Sequence, residues 1–181
     1  MRVISGLYKG RNIEGFQIDG TRPTMDRVKE SLFAMIQDYV KDGLVLDLFS
    51  GSGNLGIEAL SEGASYAYFC DHNMIACKTI EKNLKTIGIE NAKVLKMDYC
   101  KALSVLKEEQ IAFDVIFLDP PYKTDYIEKS IELIDKYNLI KKDKIIVCES
   151  DQLDKIIYTN QYEVLKEKKY SDKYIVILKK M

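Results

Sequence analysis

From Leu44 onward the chain alternates short apolar runs with longer stretches in which apolar residues return every three to four positions. The runs predict strands over 44–49, 66–70, 92–97, 113–118 and 144–148. The periodic stretches predict helices from the glycine loop at 51–53 to Glu62, and over 73–87, 101–107 and 125–137. Gly63 and Gly88 close two of them, because glycine ends a helix in the left-handed conformation without strain. Segments 162–170 and 174–178 flank Ser171-Asp172 and predict a closing hairpin. Ahead of this repeat, 2–5 and 11–14 predict a small hairpin around Gly6 and Gly10. Residues 15–23 read as a loop, and a helix follows from a Thr24 N-cap to about Tyr39, where Gly43 ends the segment.

Such alternation predicts an α/β fold: a doubly wound, mostly parallel seven-stranded sheet with a small N-terminal β-hairpin extension. The closing hairpin is expected to add an antiparallel strand at one edge. Residues 1–23 form the hairpin and linker, and 24–181 the main domain. In such sheets ligands sit beyond the carboxyl ends of the strands, so the polar residues that end each apolar run are the candidates for chemistry.

The 181 residues suffice for one domain with a real core. The net charge of -1 gives no global basic field. Cys70, Cys77, Cys100 and Cys148 form no C-x-x-C pair, and His72 is the single histidine, so no metal site is expected. The cysteines sit in apolar runs and read as buried, reduced thiols of a cytoplasmic protein. No apolar run reaches membrane-span length, and the N-terminus lacks the apolar region of a signal peptide. A monomer is expected, since no apolar stripe is left over once the sheet is covered. The four arginines, Arg2, Arg11, Arg22 and Arg27, all lie in the first 27 residues. Residues 1–30 carry net +2 and the remainder net -3. Arginine recognises phosphate and carboxylate in a planar, bidentate way that lysine cannot. The N-terminal segment is therefore a candidate for contacting an anionic partner.

Gly51, Gly53 and Gly56 form a G-x-G-x-x-G loop after the first core strand, which predicts close ligand approach to backbone N–H groups at a helix start. Asp71 follows 20 residues after Gly51, at the end of the second strand, where a carboxylate can accept from both ribose hydroxyls. The pair reads as a site for a nucleoside-containing cofactor. A pyrophosphate cofactor would use the helix N-terminus. S-adenosylmethionine (SAM) carries a sulfonium and an ammonium instead, which suit Asp47 at the end of the first strand. Asp98, ending the third strand, is placed either to accept from an adenine amino group or to cap a helix; Met97 and Tyr99 beside it can line an adenine. Phe49 lies within the loop. His72, next to Asp71, is grouped with this site, although its plainer reading is a surface residue.

Asp119-Pro120-Pro121-Tyr122 follows the fourth strand without a spacer. Two prolines remove two backbone donors and stiffen the turn, leaving carbonyl acceptors and a carboxylate beside an aromatic face. An exocyclic base amine needs this arrangement, because its lone pair is delocalised into the ring. Hydrogen bonds from both amine hydrogens to the Asp119 carboxylate and the Pro120 carbonyl favour the tetrahedral form, and Tyr122 can stack on an extruded base. Such catalysis is positioning and electrostatics rather than strong base chemistry.

Together these segments resemble known sequences. Asp47–Gly56 resembles motif I of class I SAM-dependent methyltransferases. Asp119–Tyr122 resembles the (D/N)-P-P-(Y/F) motif of amino-methyltransferases acting on adenine or guanine. Arg2–Gly6, Lys9-Gly10-Arg11, Arg22-Pro23-Thr24 and Asp26-Arg27-Val28 resemble the N-terminal signature of the RsmD family, bacterial 16S rRNA guanine-N2 methyltransferases. Leu46–Leu60 and Phe117–Tyr122 are also similar to that family, and the resemblance covers nearly the whole chain. It implies a SAM cofactor, 16S rRNA or the small ribosomal subunit as partner, and a hairpin in contact with RNA through Arg2, Lys9 and Arg11. It also implies that Arg22–Thr24 lies near the methionine end of SAM or the target base, with Arg22 or Arg27 on the SAM carboxylate or an RNA phosphate. Two departures stand out: Asp71 where the family more often has Glu, and Tyr170-Ser171-Asp172 in place of a Tyr-Gly turn.

Three other readings compete. An adenine-N6 methyltransferase acting on RNA or DNA would use the same Asp-Pro-Pro-Tyr site, but the chain has no long insert with which to read duplex DNA. A nicotinamide-dependent oxidoreductase shares the glycine loop, yet no separate substrate domain follows the sheet. A non-catalytic RNA-binding protein would not need Asp119.

Overall fold

The computed structural model describes residues 1–15, 26–121, 125–170 and 173–181. Its strands are β1 (Leu44–Asp47), β2 (Tyr66–Asp71), β3 (Ala92–Lys96), β4 (Phe113–Leu118), β5 (Ile140–Ser150), β6 (Tyr162–Tyr170) and β7 (Lys173–Lys180). They form one sheet in the order β3-β2-β1-β4-β5-β7-β6. Strands β1 to β5 pair with one another in parallel, while β7 runs antiparallel to both β5 and β6. The predicted doubly wound fold is therefore present, with one correction. The antiparallel strand is β7, inserted beside β5, and the edge is β6. A hairpin can return its second strand to the sheet first, and the more apolar β7 takes the buried position while the lysine-rich β6 faces solvent.

Helices α1 (Asp26–Val40), α2 (Asn54–Ser61) and α3 (Met74–Ile87) cover one face. Helices α4 (Tyr99–Glu108) and α5 (Tyr126–Tyr137) cover the other. The local signals explain the ends. Asn73 caps α3, its side chain accepting from Ile75 N–H at 2.8 Å, and Gly88 ends it with φ 86°. Asp98 caps α4, which starts two residues earlier than its apolar period predicts. That earlier start places Cys100 on the exposed first turn, so only Cys70, Cys77 and Cys148 are buried as expected. Strand β5 starts four residues before the 144–148 run predicts and takes in the lysine-rich 141–144 stretch; Asp114 draws Lys141 (2.7 Å) and Lys144 (3.1 Å) to the sheet.

The N-terminal segment forms a short hairpin closed by an Arg2–Asn12 antiparallel bridge. It is not a detached arm, because Val3 and Ile13 are buried in the same core as α1 and α2. Its backbone is held by a buried ion pair beneath it. Glu58 of α2 accepts from Ile4 N–H (3.0 Å) and Ser5 N–H (2.9 Å) and pairs with Lys29 of α1 at 2.7 Å. Lys29 also donates to the Arg2 carbonyl (2.8 Å) and to Asn54 Oδ1 (2.7 Å). A second hub is Asn83 of α3. It exchanges hydrogen bonds with both backbone groups of Glu14 and donates to the Ser52 carbonyl in the glycine loop. Among the described residues, no helix is long and apolar enough to cross a membrane.

Candidate active site

All the polar strand ends converge on the carboxyl edge of the sheet, as parallel pairing requires. Asp47 ends β1 and Asp71 ends β2. Asp98 follows β3, and Asp119 follows β4.

The glycine loop does not use its N–H groups in the way the sequence pattern suggests. Gly51 N–H donates to Asp71 Oδ2 (3.0 Å), Gly53 N–H to the Ser50 carbonyl (2.7 Å) and Gly56 N–H to Asp47 Oδ2 (3.0 Å). The three glycine N–H groups are thus bonded internally, and a pyrophosphate approaching them would meet the Asp47 and Asp71 carboxylates. What the loop offers is space: Gly51, at φ 54°, has nothing within 4 Å of where a Cβ would stand. Gly56 is glycine for a different reason. A Cβ there would lie 2.3 Å from Phe69 Cε1, so the helix packs directly on a buried ring.

Asp71 also accepts from Asn73 N–H at 2.8 Å. Each of its carboxylate oxygens has a second lone pair, so ribose hydroxyls remain possible partners. Asp98 is exposed and spends one oxygen on Cys100 N–H (2.8 Å), which makes it a helix cap with an adenine-facing role still open to its other oxygen. His72 is 77% exposed with Nδ1 3.7 Å from Asp71, a surface position at the strand end. Met97 is half-buried beside Cys70, whose thiol faces the Met97 carbonyl.

Phe49 and Tyr99 come together as an aromatic wall, joined by Tyr126, which sequence reasoning missed. The Phe49 and Tyr126 rings stack 5.8 Å apart at an interplanar angle of 4°. Tyr99 lies 5.4 Å from Phe49 and 5.0 Å from Tyr126. Tyr126 opens α5 just beyond the Asp-Pro-Pro-Tyr turn, so only the return of the chain brings it opposite Phe49.

A row of carboxylates lies on the α1 face. Val45, Phe117 and Val147 point into that core. Two residues further along each strand, on the same side of the pleat, stand Asp47, Asp119 and Glu149. The register confirms that they are neighbours: Asp47 pairs with Phe117, and Leu118 with Cys148. Asp47 is 2% exposed. Burial pushes its carboxyl up to about 7, opposed by the Gly56 N–H and reinforced by Asp71. Asp119 is half-buried. Its carboxyl is held well above the usual range, first by desolvation and then by Glu149 and Asp47, with Lys173 acting against them. Pro120 is buried and Pro121 exposed.

Sheet edge, acidic row, aromatic wall and space over Gly51 together fit a cationic nucleoside better than an anionic one. Asp71, Asp98, Phe49 and Tyr99 are the residues that would hold the nucleoside, with the acidic row near its cations. Arg2 and Arg27 are exposed near the N-terminus of α1, where Arg2 Nε lies 3.3 Å from Asp26. Lys9 and Arg11 are exposed on the hairpin, whose tip docks at the far end of α2: Leu7 N–H donates to the Ser61 carbonyl at 2.8 Å. Arg11 lies across the hairpin from Arg2, next to the Arg2–Asn12 bridge. Arg22, Thr24 and Tyr122 lie outside the described residues, as do Ser171 and Asp172. Among the described residues, no group of three or more His, Cys, Asp or Glu could hold a metal ion.

The family model described as "Conserved hypothetical protein 95" matches residues 1–179. The Bacillus subtilis (strain 168) protein YlbH is 45% identical over 153 residues, covering 84% of this chain and 83% of its own length. "Ribosomal RNA small subunit methyltransferase D" of Haemophilus influenzae is 37% identical over 172 residues, covering 93% of this chain and 88% of that protein. The solved structure of yhhF from Escherichia coli has a TM-score of 0.89 at 28% identity, covering 99% of this chain and 97% of that one.

Proposed function

The chain belongs to the conserved hypothetical protein 95 family, and from that membership and the site geometry we propose that it is a SAM-dependent methyltransferase acting on the N2 amine of a guanine in small-subunit rRNA. The observation that carries this reading is the acidic row at the Asp119-Pro120-Pro121 turn, beside a glycine loop whose three glycine N–H groups are already bonded. That combination favours a sulfonium cofactor over a dinucleotide, and a base amine over a hydride-transfer substrate. The rRNA methyltransferase name of the Haemophilus influenzae relative supports the same substrate class.

When bound, SAM would supply an electrophilic methyl group, its methyl–sulfur bond breaking so that the sulfonium leaves as a neutral thioether. The protein's own residues do the rest. The Asp119 carboxylate and the Pro120 carbonyl accept the two amine hydrogens, which turns the nitrogen lone pair out of conjugation with the ring. As the new N–C bond forms, the nitrogen becomes acidic, and Asp119 is placed to take the proton it sheds. A carboxyl raised above its usual range holds that proton better than an ordinary one. Arg2 and Arg27 meet backbone phosphates, and Lys9 and Arg11 extend the contact along the hairpin. The hubs at Lys29–Glu58 and Asn83 tie this RNA-facing segment rigidly to the cofactor loop.

The test is methyl transfer from labelled SAM to unmodified small subunits, naked rRNA and duplex DNA, with the product nucleoside identified by mass spectrometry. N2-methylguanosine from ribosomal RNA is expected, and Asp119→Ala should lose transfer while still binding SAM. N6-methyladenosine as the product would replace guanine with adenine in this reading, and full activity in Asp119→Ala would overturn the role of that residue.

A further inference from the structure

The buried pair Glu149–Lys173 stands against the proposed amine-binding carboxylate. Lys173 opens β7, two residues before Ile175, which pairs with Glu149 across the β5–β7 ladder. Period-two alternation puts both side chains on the α1 face, where Lys173 Nζ donates to Glu149 Oε1. Both side chains are only 7% exposed. Burying such a pair costs desolvation that packing alone would not require, so its position relative to a functional group is informative. That group is Asp119, which directly follows β4 and continues the register in which Leu118 pairs with Cys148, the residue before Glu149.

We propose that Lys173 is a positioning residue for Asp119. Through its ion pair with Glu149 it holds the neighbouring carboxylate in place and supplies a positive charge within the acidic row. This rests on the reading of Asp119 as the acceptor of the target amine. Without Lys173, Asp47, Asp119 and Glu149 would face one another unbalanced, and Asp119 would hold its own proton when it must accept hydrogen bonds from the substrate. The charged groups that face Asp119 are Glu149 from β5, Lys173 from β7 and Asp47 from β1. Helix α1 presents an apolar side to β4, with Phe33 on Phe117 at 5.8 Å, and its buried Lys29 is engaged with Glu58 and Asn54. The fold thus places a lysine, contributed by the inserted antiparallel strand, where the charge of the site is decided.

The experiment is carboxyl ¹³C NMR titration of Asp119 in the full chain, for the wild type, Lys173→Met, Glu149→Gln and Lys173→Arg. Removing a close charge moves a neighbouring carboxyl by about one unit or more. The Asp119 midpoint should rise by about that much in Lys173→Met and fall by about that much in Glu149→Gln, while Lys173→Arg stays near wild type. Opposite signs cannot come from a general loosening of the fold. Midpoints that move in the same direction, or not at all, overturn the proposal. If Lys173→Met does not fold, Glu149→Gln together with the Glu149→Gln/Lys173→Met double variant decides the matter: the double variant must titrate above Glu149→Gln. In methyl transfer, Lys173→Met should lower kcat near neutral pH by about tenfold, keep KM for RNA, and recover at higher pH. A wild type inactive on every nucleic acid would sink the guanine reading and leave the NMR result standing, so the two failures are distinguishable.

Discussion

Truncating Glu58 tests whether the N-terminal hairpin is part of the folded core or an accessory. The Glu58 carboxylate is 1% exposed and is matched by an equally buried Lys29 ammonium at 2.7 Å. It also accepts from two backbone amides, those of Ile4 and Ser5. In Glu58→Ala, the Lys29 cation keeps the Arg2 carbonyl and Asn54 Oδ1 but loses its counter-charge. Removing one partner of a buried pair costs about 3–5 kcal/mol, and the two stranded amides push the loss toward the upper figure. For a chain of this size, that corresponds to a Tm lower by roughly 6–20 °C. Urea unfolding would measure the change as a shift in midpoint. Hydrogen exchange at Ile4 and Ser5 would localise it, because those amides should lose protection before the sheet does. The Lys29→Met/Glu58→Met double variant should recover part of the loss, since it removes both charges and refills the volume; the amides of Ile4 and Ser5 would still lack acceptors. A loss below about 1 kcal/mol, with protection at Ile4 and Ser5 unchanged, would refute the idea that this pair anchors the hairpin.

Three other outcomes follow from the same coordinates. Gly56→Ala drives a methyl group into Phe69 and should destabilise by about 1–3 kcal/mol in spite of alanine's better helix propensity; Phe69→Leu in the same chain should restore most of it, read by urea midpoints. Asp47, raised by burial from 3.8 to about 7, favours the protonated folded state, so its contribution to stability is greatest at low pH and is lost as pH rises from about 4 through about 7. Asp47→Asn should flatten that decline by up to roughly 4 kcal/mol in ligand-free protein, and SAM affinity measured by calorimetry should strengthen through the same window in the wild type with proton release. Arg27→Gln should weaken RNA binding and lower the slope of log K against log salt by about one; an unchanged slope would remove Arg27 from the RNA contact.

Much of this protein can be read without coordinates, for a local reason. The strand at 113–118 is a continuous apolar run bounded by Asp and Pro, and the helix at 73–87 carries its own cap and its own glycine stop. These signals lie within a few residues of what they determine, and the order of elements then dictates that Asp47, Asp71, Asp98 and Asp119 share one edge. The glycine loop and the Asp-Pro-Pro-Tyr turn are legible for the same reason.

Contacts between distant segments are another matter. Nothing near Glu58 in the sequence shows that its carboxylate serves the backbone of Ile4 and Ser5, 54 and 53 residues away. The one available hint is an acid inside the apolar run of α2. Asn83 and Tyr126 gave no signal at all. Even the glycine loop, correctly located, was assigned free N–H groups that Asp47 and Asp71 in fact occupy. Lys173 belongs to the same class, since its importance depends on β7 returning beside β5 instead of lying at the edge. The sequence by itself determined the elements, their caps and the polar residues gathered at the strand ends, because these follow from short-range periodicity and backbone sterics. Only the tertiary structure decided which charges are buried together and which N–H groups are already satisfied. Those depend on strand register and on desolvation, and both arise only when residues far apart in the chain are brought into contact.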